Sequence, residues 1–131
     1  MAQKDVEIIL MRQLASYLAM PIFLVDPAGS LLFYNEPAEA LLGRRFDEAG
    51  EMPLEQWATI FPATAEDGSP LPADARPLVI ALQKRRAAHR GFWIRGLDGV
   101  SRRIEATAFP LEGQGGRNLG AVAIFWEENS P

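Results

Sequence analysis

A single histidine, His89, and the absence of any cysteine set the limits of the chemistry this chain can perform. Without thiols there are no disulfides, no thiolate metal sites, no cysteine nucleophiles and no photochemistry that needs a cysteinyl adduct. One imidazole leaves too few nitrogen ligands for a zinc site, so no metal site is assigned. Ser16, Ser30, Ser69, Ser101 and Ser130 share His89 as their only candidate base, and no G-x-S-x-G elbow occurs. Gly113-Gln114-Gly115-Gly116 lacks the lysine and the strand-to-helix context of a phosphate loop and reads as a hairpin connection. Glu66 and Asp67 are adjacent in a loop, a poor spacing for paired acid and base work. The sequence therefore reads as non-enzymatic.

What the chain offers instead is apolar and aromatic surface. Of its 131 residues 48% are hydrophobic and 23% charged, the balance of one globular domain. At this length roughly two-thirds of the unfolded surface can be buried, enough for one core. The 17 acidic residues outnumber the 13 basic ones, and the net charge of -4 has the wrong sign for capturing phosphate backbones. No nucleic-acid partner is expected. Charge is segregated along the chain. Residues 26–74 hold ten acids and two bases, and residues 76–103 hold eight bases with Asp98 as their one acid. These halves are expected to attract within one fold or across a dimer, or to be solvated faces of opposite sign. No apolar run approaches the roughly 20 residues that span a bilayer. Lys4, Asp5 and Glu7 precede the first apolar residues without a small-residue cleavage site, so the start is not a secretory signal. No membrane partner is expected, and the cytoplasm is the expected compartment.

The elements that must position these side chains follow from spacing and punctuation. Val6, Ile9, Leu10, Leu14, Tyr17 and Leu18 recur at helical intervals, predicting an amphipathic helix over residues 3–19 that Pro21 ends. Ile22 to Val25 and Leu31 to Tyr34 read as two buried strands joined by the turn Asp26-Pro27-Ala28-Gly29. Asn35 then caps a short helix with Pro37 in its first turn and Gly43 at its end. Prolines at 53, 62, 70 and 72 allow only short helical pieces, one around Leu54 to Ile60. A further helix over residues 76–86 starts with Pro77 and ends in cations. Three strands follow: residues 89–95, Arg102 to Leu111 and Leu119 to Trp126, the first pair joined by Leu97-Asp98-Gly99. Helix, two strands, short helices and three strands make an α+β fold, an antiparallel sheet with helices on one face.

The residues that carry this order are Pro21-Ile22-Phe23-Leu24-Val25-Asp26-Pro27-Ala28-Gly29, Leu31-Leu32-Phe33-Tyr34-Asn35 and Ala38-Glu39-Ala40-Leu41-Leu42-Gly43. Later come Leu97-Asp98-Gly99, Ile104-Glu105-Ala106-Thr107-Ala108-Phe109-Pro110-Leu111 and Gly116-Arg117-Asn118-Leu119-Gly120-Ala121-Val122. In order and spacing they resemble the PAS domain family, over about residues 20–128. One departure is Arg103, where many relatives carry an aromatic residue. The resemblance implies a PAS domain over 20–128, preceded by a flanking amphipathic helix over 1–19 that in this family often pairs between protomers. It also implies a five-stranded sheet wrapped around short helices, with a pocket between the two. The chain would then be a stand-alone sensor or a piece of a longer signalling protein. Its ending, Glu127-Glu128-Asn129-Ser130-Pro131, falls where relatives continue into a linker helix, and is expected to be a cut or a natural stop.

Period-2 alternation sends one set of sheet residues toward the helices and the other outward. The inward set either fills the core or lines a pocket for a small apolar ligand, with candidate lining residues Ile22, Leu24, Phe33, Leu42, Trp57, Leu82, Phe92, Ile94, Thr107, Val122 and Ile124. Asn35 could reach such a pocket, although its place suits a cap. Phe125 or Trp126 must face outward, where the helix stripe Val6, Ile9, Leu10, Leu14 and Tyr17 of the same or a second chain would cover it. A homodimer is expected. Because some relatives hold haem through one histidine, His89 is the haem-ligand candidate; as a solvated histidine near a turn it would bind nothing. Flavin stays open only as a redox sensor, since the photosensing subfamily needs the missing cysteine. The expected function is a sensory, signal-transducing module that binds a small ligand or dimerises and relays its state to an output partner. Its rivals are a ligand-free interaction module and a haem or flavin redox sensor, and no cofactor is the leading expectation.

Overall fold

The sheet of the protein has the strand order β2-β1-β6-β5-β4-β3, every neighbour antiparallel. The computed structural model describes residues 6–128; residues 3–5 of the expected leading helix and Asn129-Ser130-Pro131 lie outside the described residues. Helix α1 spans Val6–Tyr17, strands β1 and β2 span Ile22–Val25 and Leu31–Tyr34, and helices α2, α3 and α4 span Glu36–Leu42, Phe46–Ala49 and Leu54–Ile60. Strand β3 is Ala63–Thr64, and a 3-10 turn at Ala73–Ala75 leads into α5, Pro77–Lys84. Strands β4, Ala88–Arg95, and β5, Ser101–Glu112, precede a 3-10 turn at Gln114–Gly116 and the last strand, β6, Asn118–Glu127. Among the described residues no helix is long and apolar enough to cross a membrane.

The expected five strands become six because Ala63 and Thr64 pair with Ile94 and Trp93 at the sheet edge. Two residues just after Pro62 are too few to show alternation, which is why the pattern hides them.

Local chemistry explains the boundaries. Asp26 Oδ1 accepts from the N–H groups of Ala28 and Ser30, each at 2.9 Å, closing the β1–β2 turn. Asn35 caps α2 by accepting from Ala38 N–H at 3.3 Å, Pro37 stands in the first turn, and Gly43 ends the helix in left-handed backbone. Pro77 opens α5, where a missing N–H costs nothing.

Two apolar clusters form, one on each face of the sheet. The inner one packs α2, α4 and α5 over Phe23, Val25, Tyr34, Phe92, Ile94, Ile104, Ala106, Ala123 and Phe125. On the outer face Ile22, Leu24, Leu32, Leu119 and Val122 form the second, onto which α1 lays Ile8, Ala15 and the half-buried Met11. Arg12 adds its guanidinium over the Phe33 ring at 4.9 Å. Helix α1 thus packs on its own sheet through residues other than the expected stripe. Val6, Ile9, Leu10, Leu14 and Tyr17 all point away from the domain and are exposed, Tyr17 to 80%.

Candidate functional site

A cavity of about 60 Å³ lies between the inner face of the sheet and the helices. Its floor is Phe23 of β1, Phe92 and Ile94 of β4, Ile104 and Ala106 of β5, and Ala123 and Phe125 of β6. Leu42, Trp57, Phe61, Pro77, Leu78 and Arg76 close it from the helical side. Alanine at 106 and 123, set against Phe125 and Phe23 in register, keeps the floor low and leaves the space open.

The wall carries two polar side chains that lack a charged partner. Trp57 is satisfied: its indole N–H donates to Gly29 C=O at 2.8 Å, and its ring stands edge-on to Phe23 at 5.1 Å. Arg76 is 7% exposed. Its Nη2 donates to Ala58 C=O and Phe61 C=O, each at 3.0 Å, neutralising carbonyls at the C-terminal end of α4. The guanidinium lies 5.7 Å from the Trp57 ring centre, while its Nε is buried with no hydrogen-bond partner. Burial alone pulls its pKa down, and no carboxylate among the described residues forms an ion pair with it.

Of the expected pocket residues, Leu42, Trp57, Phe92 and Ile94 line this cavity, and Leu82 packs against the same cluster without reaching the wall. The remaining assignments are corrected. Ile22, Leu24, Phe33, Val122 and Ile124 belong to the outer cluster under α1, because β1 and β6 present the opposite parity: Phe23, Ala123 and Phe125 face in. Phe125, expected at a dimer interface, is buried in the cavity floor, whereas Trp126 lies half-buried on the outer face. Thr107 also faces outward and bonds His89. Arg76 and Phe61 were missed; the only signal for Arg76 was a cation set directly before Pro77 and the apolar start of a helix. Asn35 is a cap and does not line the cavity.

His89 lies on the outer face of the sheet, far from the role of a pocket ligand. Its Nδ1 is 2.6 Å from Thr107 Oγ1, its Nε2 is 2.7 Å from Glu105 Oε1, and its ring is 6.0 Å from that of Trp126. Arg103, the departure from the family pattern, donates to Glu105 Oε2 at 2.8 Å and to Glu66 Oε1 at 2.7 Å, joining the acidic and basic segments within one fold. These bonds, Arg103 first and His89 second, hold the Glu105 carboxyl below its ordinary range. His89 therefore cannot ligate a haem held in the cavity. The residues present do not fit a flavin either: about 60 Å³ corresponds to roughly four to six water positions, too little for a three-ring isoalloxazine.

Comparison with solved structures assigns the architecture. The chain is similar to the PAS domain of BvgS from Bordetella pertussis, with 18% identity and a TM-score of 0.69 over 96% of this chain and 89% of that one. It is also similar to the PAS domain of nitrogen regulation protein NR(II) from Vibrio parahaemolyticus, with 15% identity and a TM-score of 0.63 over 91% and 98% of the two chains. The chain has the PAS fold. A LOV protein from Rhodobacter sphaeroides shares that fold, with 14% identity and a TM-score of 0.73 over 95% of this chain and 69% of that one. No protein-family model and no curated protein sequence matches the chain. In this PAS fold the cavity lies where the resemblance placed a pocket, between the sheet and the short helices.

Proposed function

We propose that the chain is a sensory module of a signalling system, whose input is occupancy of the inner cavity and whose output is the docking of α1. The observation that carries this reading is that β1 and β6 serve both. Phe23, Ala123 and Phe125 face the cavity, and the alternate residues Ile22, Leu24, Val122 and Ile124 face α1. A ligand that moves the inner side chains shifts the same two strands on which α1 rests. The similar structures support the sensory role, one of them being a PAS domain from a two-component sensor histidine kinase. The module would act on an output partner and carry out no reaction of its own. Native against denaturing mass spectrometry tests it: an added mass that disappears on denaturation is expected. Recovery of the bare chain only, with no shift in thermal stability across a small-molecule panel, would overturn it.

A second reading is favoured by the stripe Val6, Ile9, Leu10, Leu14 and Tyr17, all exposed on the free side of α1. A run of large apolar side chains along one helix is costly to leave in water and suits pairing with a second copy. Leu10→Glu should then shift sedimentation from dimer to monomer. Identical sedimentation of the two proteins would remove dimerisation through α1 from the proposal.

A further inference from the structure

Arg76 is an unusual occupant of an apolar wall. A guanidinium carries five N–H donors and stays charged at neutral pH. Here Nη2 spends its hydrogens on Ala58 and Phe61 carbonyls, which are dipoles and not counter-charges, and Nε is enclosed with nothing to bond. Burying a charge without a partner of opposite sign is unfavourable, and an unsatisfied buried donor adds to that cost. The other lining residues are all apolar apart from Trp57, whose N–H is already used. The cavity is thus a greasy chamber with one guanidinium among its lining residues, and the Nε of that guanidinium is buried without a partner.

We propose that the cavity binds a small organic carboxylate, its apolar part against Phe92, Ile94 and Phe125 and its carboxylate on Arg76 Nε. This rests on the reading of the cavity as the sensing site and names the chemistry of what it senses. The space, roughly four to six water positions, suits a short aliphatic or single-ring acid. A charge-assisted bond from Nε would both neutralise the guanidinium and satisfy the free donor, two gains available only to an anion.

Isotope-labelled full chain is titrated near neutral pH with benzoate, benzamide and toluene, which share a ring and differ in charge. Benzoate should bind at least about tenfold more tightly than benzamide and should move the Arg76 Nε–Hε resonance, whereas toluene should leave that resonance in place. Arg76→Gln removes the charge and gives up the Nη2 bonds to Ala58 and Phe61 carbonyls; it should erase the benzoate preference while still binding toluene. If that variant fails to fold, the Nε–Hε shift in the unaltered protein decides the question. Benzamide or toluene binding as tightly as benzoate, or an unmoved Nε–Hε signal at saturation, would refute the carboxylate and leave the sensing cavity intact. Binding by none of the three would refute both.

Discussion

Asn35 ties the end of α1 and the segment after it to the rest of the fold by hydrogen bonds from both ends of its amide. Its Oδ1 accepts from Ile22 N–H at 2.9 Å and Ala38 N–H at 3.3 Å, and its Nδ2 donates to Ala15 C=O and Met20 C=O, each at 2.9 Å. The residue is 1% exposed, so water replaces none of these bonds readily. Asn35→Ala removes all four and the α2 cap with them. At about 1 kcal/mol net per bond, and with Met20 C=O partly open to solvent, the loss is about 3 kcal/mol. For a domain of this length that lowers Tm by about 10 °C. Asn35→Asp separates the two halves of the role. It keeps the acceptor for Ile22 and Ala38 and suits the start of α2, but turns a donor into an acceptor facing the carbonyls of Ala15, in the last turn of α1, and of Met20, beyond the helix. Urea unfolding followed by tryptophan fluorescence measures the first variant, and hydrogen exchange over residues 6–20 the second. The expected result for Asn35→Asp is fast exchange confined to α1, with β1 and α2 still protected. A cost below about 1 kcal/mol for Asn35→Ala, or exchange spread evenly through Asn35→Asp, would refute the tether.

Gly120, at φ +117, has no room for a side chain, because a Cβ there would run into Val25 C=O and the backbone of Asp26. Gly120→Ala should cost about 2–4 kcal/mol in urea unfolding, and Gly99→Ala, at φ +81 with open space around it, only about 1 kcal/mol. Acid titration should expose the outer-face and turn carboxylates. Glu105, held low by Arg103 and then His89, and Asp98, held low by Val100 N–H and then Arg102, contribute stability that is complete above the ordinary carboxylate range and is lost as pH falls through their folded values. The slope of stability against pH below about 4.5 should therefore flatten in Glu105→Gln, and an unchanged slope would count against the pairing. At the alkaline end burial pushes the Tyr34 hydroxyl up to about 12, so stability should fall as pH rises from about 10 toward 12. Tyr34→Phe should remove that phase.

The order of elements was legible because turns and caps are written in residue type. Asp26 to Gly29, Asn35 with Pro37, Pro77 and Leu97 to Gly99 each fix a boundary by a local mechanism that needs no knowledge of the rest of the chain. Strand phase was legible only where one face is wet. On β4, His89, Gly91, Trp93 and Arg95 alternate with Phe92 and Ile94, so those two were correctly turned toward the helices. On β1 and β6 both faces are covered, one by α1 and one by the inner helices, and Ile22-Phe23-Leu24-Val25 shows no alternation to read. The parity read there is off by one, which sends Ile22, Leu24, Val122 and Ile124 to the wrong face and places Phe125 outside. Helix α1 failed in the same way: it is apolar on both sides, so spacing alone could not say that Ile8 and Ala15 are the buried pair. Arg76 was invisible as one of eight bases in a basic segment, since burial of a cation is a tertiary fact.

The feature that misled the sequence reading is also what makes the relay physically reasonable. A strand with one wet face would transmit little, because water yields to a displaced side chain at small cost. In β1 and β6 a residue pushed from the cavity side meets packed neighbours on the other side, and close-packed interiors pass displacement on where water would absorb it. The α1 docking surface is the weaker partner in that contact: Ile8 and Ala15 buried, Met11 half-buried, Arg12 over Phe33, an exposed Arg117–Glu7 ion pair at 3.4 Å, and the Asn35 bond to Ala15 C=O. A helix held by so few contacts lies at the low end of local stability, within reach of the 1–3 kcal/mol typical of coupling between sites. A ligand shifts the docking equilibrium only by its difference in affinity for the docked and undocked states. Phe23 and Phe125 supply that difference if their positions depend on whether Leu24 and Val122 are covered by α1.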